Sequence, residues 1–301
     1  MSATPVMPLV SCQWVREQQL QHGPALRIID ASWYLPVMER NGKAEYDTRR
    51  IPSAAFFDID ATDEPSDLPH MLPSAQYFAR AMEACGVTNE DHVVVYDGKG
   101  IFSAPRLWWM LRAFGHERVS VLDGGLPAWT AAEYPLETST VTAQPAATGS
   151  FKASLEDGAA CSSSQLLAHV VAPSSTVPLV VVDARPAARF EGSAPEPRKG
   201  CRSGHIPRSL NVPFGSLLTE EGMMRPADEL RSVFMRAGVP IEESGPSLVT
   251  SCGSGVTAAV VQLALAHLGR SERVSLYDGS WAEWGSDESM PLESGPPVIG
   301  S

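Results

Sequence analysis

The chain repeats itself, and the repeat decides what it can fold into. RIIDASW around Asp30 is matched by VVVDARP around Asp183, and RRIPSAAFFDI around Pro52 by GHIPRSLNVPF around Pro207. VVVYDGKGIFSA around Asp97 is matched by LVTSCGSGVTAA around Cys252, and RVSVLDGGLPAW by RVSLYDGSWAEW. Asp30 and Asp183 are 153 residues apart, and Pro52 and Pro207, Asp97 and Cys252, Asp123 and Asp278, Trp129 and Trp284 are each 155 apart. Landmarks kept in one order at nearly one offset imply two copies of one domain of roughly 130–150 residues, an ordinary domain size. The copies are expected over 9–137 and 159–285. A linker is expected over 138–158, where TSTVTAQPAATGSFKASLEDG is rich in Ser, Thr, Ala, Gly and Pro and lacks helical periodicity. The ends, 1–8 and 285–301, read as extended or frayed.

Each copy has an α/β pattern. In the second, short β-branched runs at Leu179–Val182, Ser247–Ser251 and Val274–Tyr277 read as buried parallel strands. Ala227–Ala237 and Thr257–Leu268 read as helices between them. Strands alternating with helices imply a mainly parallel sheet flanked by helices on both faces. In such sheets ligand sites gather at the carboxyl ends of the strands.

Charge and cysteine usage exclude several functions. The net charge of −12 disfavours nucleic acid, whose binding needs clustered cations. No stretch approaches the ~18–20 apolar residues of a membrane span, and the first twenty residues lack the basic and apolar regions of a secretory signal. The five cysteines (Cys12, Cys85, Cys161, Cys201 and Cys252) are odd in number and form no C-x-x-C pair. A disulfide framework or a zinc site is therefore not expected, and free thiols suit a reducing compartment, the cytoplasm or the mitochondrial matrix.

Cys252 has the surroundings of a reactive thiol. It follows the strand SLVTS and precedes the helix TAAVVQLALAHL, with Gly253 and Gly255 beside it. Glycines let backbone N–H groups turn inward around the sulfur, and the helix N-terminus adds positive potential. Both favour the thiolate, which is the nucleophile. The twin loop, Asp97-Gly-Lys-Gly-Ile-Phe102, keeps the turn but has Asp97 in place of the cysteine, so the first copy is expected to be inactive. A tyrosine-phosphatase loop would need Arg six residues after the cysteine, and position 258 is Ala258.

With these residues in view, the two copies resemble tandem rhodanese domains over about 9–284. CGSGVTA at 252–258 is similar to the active loop of the 3-mercaptopyruvate sulfurtransferase branch of that family. The thiosulfate branch usually carries basic residues after the cysteine, where this chain has Gly253 and Ser254. The resemblance implies an enzyme that takes sulfur from 3-mercaptopyruvate onto Cys252 as a persulfide, releases pyruvate, and passes the sulfur to a thiol acceptor (thioredoxin or a small thiol) or to cyanide. Such a cycle needs no metal or organic cofactor. A monomer is expected, with no membrane or nucleic-acid partner. Two alternatives stay open: a thiosulfate sulfurtransferase, and a non-catalytic sulfur carrier or binding module.

The resemblance also implies roles for individual residues. Arg189 and Arg198, in ARFEGSAPEPRKG, stand where the family binds the substrate carboxylate and carbonyl, and Gly253, Gly255, Val256 and Thr257 complete the binding set. For each arginine the alternative is a surface ion pair. Arg185, after Asp183, reads as structural. Ser254 is linked by the resemblance to His70 and Asp60 of FFDIDATDEPSDLPHMLP, either as a proton relay or as a hydrogen-bond framework without kinetic role. Trp108, Trp109, Trp281 and Trp284 read as core.

Overall fold

The computed structural model describes residues 6–22, 25–138, 150–172 and 178–297. The chain divides into two compact units. The first comprises Met1–Glu64, Leu72–Glu156 and Glu220–Met224; the second comprises Pro65–Met71, Asp157–Thr219 and Arg225–Ser301.

The first unit contains β1 (Leu9–Val10), α1 (Cys12–His22), β2 (Leu26–Asp30), α2 (Gly42–Thr48), β3 (Ala55–Phe56), α3 (Ala75–Ala84), β4 (His92–Tyr96), α4 (Ala104–Ala113), β5 (Val119–Leu122) and α5 (Gly125–Ala131). The second repeats the order with β6 (Ala160–Cys161), α6 (Ser163–Val171), β7 (Leu179–Asp183), α7 (Ala187–Phe190), β8 (Leu210–Asn211), α8 (Ala227–Arg236), β9 (Ser247–Ser251), α9 (Ala258–His267), β10 (Val274–Tyr277) and α10 (Ser280–Trp284). The sheet orders correspond strand for strand: β1-β5-β4-β2-β3 and β6-β10-β9-β7-β8. Every pairing between these strands is parallel. The duplication and the parallel α/β class expected from the sequence are both present.

Burial explains why the central strands lack alternation. Val93, Val94, Val95 and Tyr96 of β4 are all buried, as are Leu248, Val249, Thr250 and Ser251 of β9, because helices cover both faces. The helices that follow these strands are equally apolar: α9 is buried from Ala258 to Leu265. By contrast α3 and α8 bury one face, through Phe78 and Met82 and through Leu230 and Phe234, at the i, i+4 spacing of a surface helix. Trp129 and Trp284 are fully buried at equivalent positions. Their indole N–H groups donate to Pro135 O (2.9 Å) and Pro291 O (2.7 Å), which satisfies the polar tip inside each core.

Two segments differ from the sequence expectation. Of the 138–158 stretch, residues 139–149 lie outside the described residues. Residues 150–156 are not loose: Phe151 is buried against Phe78, and the Glu156 N–H donates to Ala113 O at 2.8 Å. Of the two ends, residues 1–5 and 298–301 lie outside the described residues, and residues 285–293 are held rather than frayed. Arg202 donates to the carbonyls of Gly285, Asp287 and Met290, and Glu293 bridges His205. Polar side chains thus fix a stretch whose composition alone suggested a loose end.

Candidate active site

The loops after β4 and β9 leave the carboxyl ends of the central strands. In the first unit the loop is closed on a carboxylate. Asp97, fully buried, accepts five backbone N–H bonds: Lys99 (2.9 Å) and Gly100 (3.1 Å) on Oδ1, and Phe102 (2.8 Å), Ser103 (2.9 Å) and Ala104 (2.9 Å) on Oδ2. Burial pushes this carboxyl up from its ordinary range, and the converging N–H donors pull it back. The loop is therefore an anion nest whose own side chain fills it.

The second unit builds the same loop around a thiol. Cys252 is 2% exposed and follows the last residue of β9. Gly255 has φ +80° and its twin Gly100 has φ +123°, left-handed conformations that a side chain would strain at this turn. The positions equivalent to four of the Asp97 donors are Ser254, Gly255, Thr257 and Ala258. The fifth, Ala259, donates to Val256 O at 3.2 Å, because α9 begins one residue earlier than its twin. Thr257, the N-cap of α9, forms no side-chain cap hydrogen bond.

The helix after the last strand holds the loop from behind. Trp281 N–H donates to Cys252 O (3.0 Å) and Ala282 N–H to Gly253 O (2.9 Å); in the twin, Leu126 N–H donates to Asp97 O (3.0 Å). Ser280 takes the Cys252 N–H on its hydroxyl oxygen at 3.2 Å and donates to Tyr277 O at 2.8 Å. It does so at φ +49°, where the twin has Gly125 at φ +53°. A serine in this region is strained and must be held by its surroundings. The sequence reading missed Ser280; the signal was glycine at the equivalent register of the other copy.

Arg189, on α7, reaches this loop. A Cβ built on Gly253 would lie 3.1 Å from Arg189 Nη2 and 3.9 Å from Nη1, so the end of the guanidinium faces the residue after Cys252. Its other edge is held by Glu196, with Nε donating to Oε1 at 3.2 Å and Nη2 to Oε2. The Glu196 side chain is 3% exposed and also accepts from Arg185 Nη1 at 2.8 Å. Arg185, 1% exposed, pairs with Asp183 and lies 4.4 Å over the Trp281 ring, the structural role expected for it. Arg198 is exposed, and its side chain has no hydrogen bond or ion pair among the described residues.

The expected relay residues are distributed differently. His70, although early in the sequence, belongs to the second unit, is buried at 8% exposure and has φ +59°. The Ser254 side chain is half-buried and has no hydrogen-bond partner among the described residues. Asp60 belongs to the first unit, where its Oδ2 accepts the Trp33 indole N–H at 2.9 Å.

Three of the remaining thiols are poor nucleophiles. Burial pushes Cys85 up to about 12 and Cys161 to about 11; burial and the Asp123 carboxylate push Cys12 to about 11. Cys201 donates to Trp281 O at 3.5 Å and lies 3.2 Å from Ser286 Oγ.

A profile of the rhodanese-like domain matches residues 12–132 and 166–287. The chain belongs to the rhodanese-like family, as a tandem-domain member. It is 44% identical to 3-mercaptopyruvate sulfurtransferase of Escherichia coli (strain K12), over 94% of this chain and 97% of that protein. It is 42% identical to thiosulfate/3-mercaptopyruvate sulfurtransferase 1, mitochondrial, of Arabidopsis thaliana, over 95% of this chain and 78% of that one. The crystal structure of SseA from Escherichia coli superposes with a TM-score of 0.78 at 42% identity, covering 92% and 99% of the two chains. Within the family this chain is a sulfur-transferring enzyme.

Proposed function

We propose that the enzyme moves sulfur from 3-mercaptopyruvate through a persulfide on Cys252. The observation that carries this is the pairing of two features at one loop. Cys252 stands where the first unit's loop forms a nest around the Asp97 carboxylate, and the end of the Arg189 guanidinium faces the next residue. The thiolate of Cys252 attacks the substrate sulfur, an S–S bond forms, and the C–S bond breaks. The bonding pair leaves with carbon as the enolate of pyruvate, which takes up a proton. An acceptor thiolate then attacks the outer sulfur and returns Cys252 as a thiolate. Backbone N–H groups of this loop aimed at the sulfur, as their twins are aimed at Asp97, would stabilise the charge that develops there without reorganisation.

Arg189 holds the substrate carboxylate, with Arg198 and the loop residues Gly253, Gly255, Val256 and Thr257 completing the pocket. His70 and Ser254, in the unit that carries Cys252, handle the enolate proton. Asp60 completes the set the family resemblance implies, and Asp60→Asn separates a relay from a framework: a relay residue changes the pH profile of turnover, a framework residue does not. Thioredoxin or a small thiol is the acceptor, with cyanide serving in assays. The cycle is a double displacement on one thiol and requires no metal or organic cofactor. The domains are assigned to 9–137 and 159–285, with residues 150–156 packed on the first rather than lying in the linker expected over 138–158, and the enzyme acts as a monomer in the cytoplasm or mitochondrion, where thiols stay reduced.

A thiosulfate reading has support in the Arabidopsis relative, whose name carries both substrates. The neutral Gly253–Ser254 pair argues against it as the main substrate, because thiosulfate brings two negative charges. The kcat/KM values for the two donors decide: a clear preference for 3-mercaptopyruvate is expected, and a preference for thiosulfate overturns the assignment.

A further inference from the structure

We infer that Glu196 is a positioning residue that aims Arg189 at the substrate. It rests on the proposal that Arg189 binds the substrate carboxylate. A guanidinium has two edges that match a carboxylate, the side edge (Nε and one Nη) and the end edge (both Nη). Glu196 takes the side edge of Arg189 with both of its oxygens. The end edge then faces Gly253, with Nη2 nearest at 3.1 Å from the position a Cβ would occupy. Among the described residues Glu196 is the only acceptor on the Arg189 guanidinium, so the end edge stays open for a ligand. The Arg189 side chain is 25% exposed whereas that of Glu196 is 3% exposed, so the aiming group is fixed and the aimed group is accessible.

Glu196 is itself fixed from the strand side. Arg185 ties it to Asp183 at the end of β7 and stacks on Trp281, whose N–H holds the Cys252 carbonyl. The contacts run from β7 through Arg185, Glu196 and Arg189 to the loop, and return through Trp281. Two arginines face two carboxylates in this ring, so its formal charges cancel before substrate arrives. The first unit offers a comparison. Arg40 pairs side-on with Glu45 (Nε to Oε1 2.7 Å, Nη2 to Oε2 2.7 Å) and lies over Gly98, the twin of Gly253. There Nη2 is already used by Tyr34 Oη (2.7 Å) and Gly98 O (3.1 Å). The copy without a nucleophile thus consumes its arginine internally, and the copy with Cys252 leaves the equivalent edge open.

The test measures KM and kcat for 3-mercaptopyruvate in Arg189→Ala, Glu196→Gln, Glu196→Asp and the Arg189→Ala/Glu196→Gln pair. Gln keeps the shape but puts an N–H₂ group against a guanidinium N–H; Asp keeps the charge beside Arg185 but, one methylene shorter, draws the carboxylate back from Arg189. Glu196→Asp therefore serves if Glu196→Gln does not fold. Each single variant is expected to raise KM about tenfold with kcat changed less than about threefold, and the double variant to be no worse than Arg189→Ala alone. A raised KM in Arg189→Ala with normal KM in the Glu196 variants, or full additivity in the double, overturns the positioning role and leaves the arginine assignment standing. An unchanged KM in Arg189→Ala overturns the arginine assignment, and the positioning role with it.

Discussion

Ser280 accepts the backbone N–H of Cys252 at 3.2 Å, from a residue held at φ +49°. The bond turns the Cys252 amide toward α10 and fixes where the loop begins. Removing the hydroxyl leaves a buried N–H without its acceptor while keeping the strained backbone. Ser280→Ala should therefore cost about 1–3 kcal/mol of stability, and Ser280→Gly less, since glycine relieves the strain that its twin Gly125 never carries. Chemical denaturation of the two variants checks this. Equal losses would show that the left-handed conformation costs nothing here.

Asp97 ties the first unit's loop together through both of its oxygens. Its two oxygens collect five N–H donors in a site closed to water. In Asp97→Asn the amide N–H₂ must face either two or three of those donors, whichever way it turns. A loss of roughly 2–4 kcal/mol is expected, without a change in KM for the sulfur donor. A variant as stable as the parent would mean that the nest does not bind the carboxylate as drawn.

His92 makes the first unit acid-sensitive. Its Nε2 lies 2.9 Å from Ser120 Oγ, which donates to Met7 O at 2.6 Å, so the neutral ring carries its proton on Nε2. Burial, and after it the neighbouring Arg118 and His116, lower its pKa from 6.5 to about 4. Between those values the unfolded chain binds a proton that the folded chain refuses, so the stability present above pH 6.5 is lost as pH falls toward 4. Asp30, pushed up to about 6 by burial, acts in the opposite sense, but it is present in both proteins when wild type is compared with His92→Gln. Thermal unfolding should show the wild type losing ground to the variant from pH 7 to pH 4.5. A constant difference would remove His92 from the account.

The fold was legible because its signals are local and doubled. Buried parallel strands leave continuous apolar runs, and a second copy at a fixed offset showed which glycines belong to the loop and which residue, Asp97 or Cys252, was free to vary. The exchange of short segments was not legible. Pro65–Met71, with His70, joins the second unit, and Glu220–Met224 joins the first, although neither segment breaks the repeat in sequence. Glu196 was hidden for a different reason. A carboxylate in a proline-rich loop has no periodicity, and only the folded chain shows that it bridges two arginines. Arg198 came from the same motif as Arg189; Arg189 lies against the loop, and Arg198 is exposed with no side-chain hydrogen bond among the described residues.

The central claim is that sulfur passes through Cys252, and the mass of the intact protein tests it most directly. Cys252→Ser, nearly isosteric in a buried site, should fold and lack turnover. Wild-type enzyme treated with 3-mercaptopyruvate should gain one sulfur (about 32 Da) on Cys252, release one pyruvate per enzyme, and return to its starting mass when a thiol is added. Pyruvate release with no added sulfur, or with the sulfur on another residue, would contradict the account.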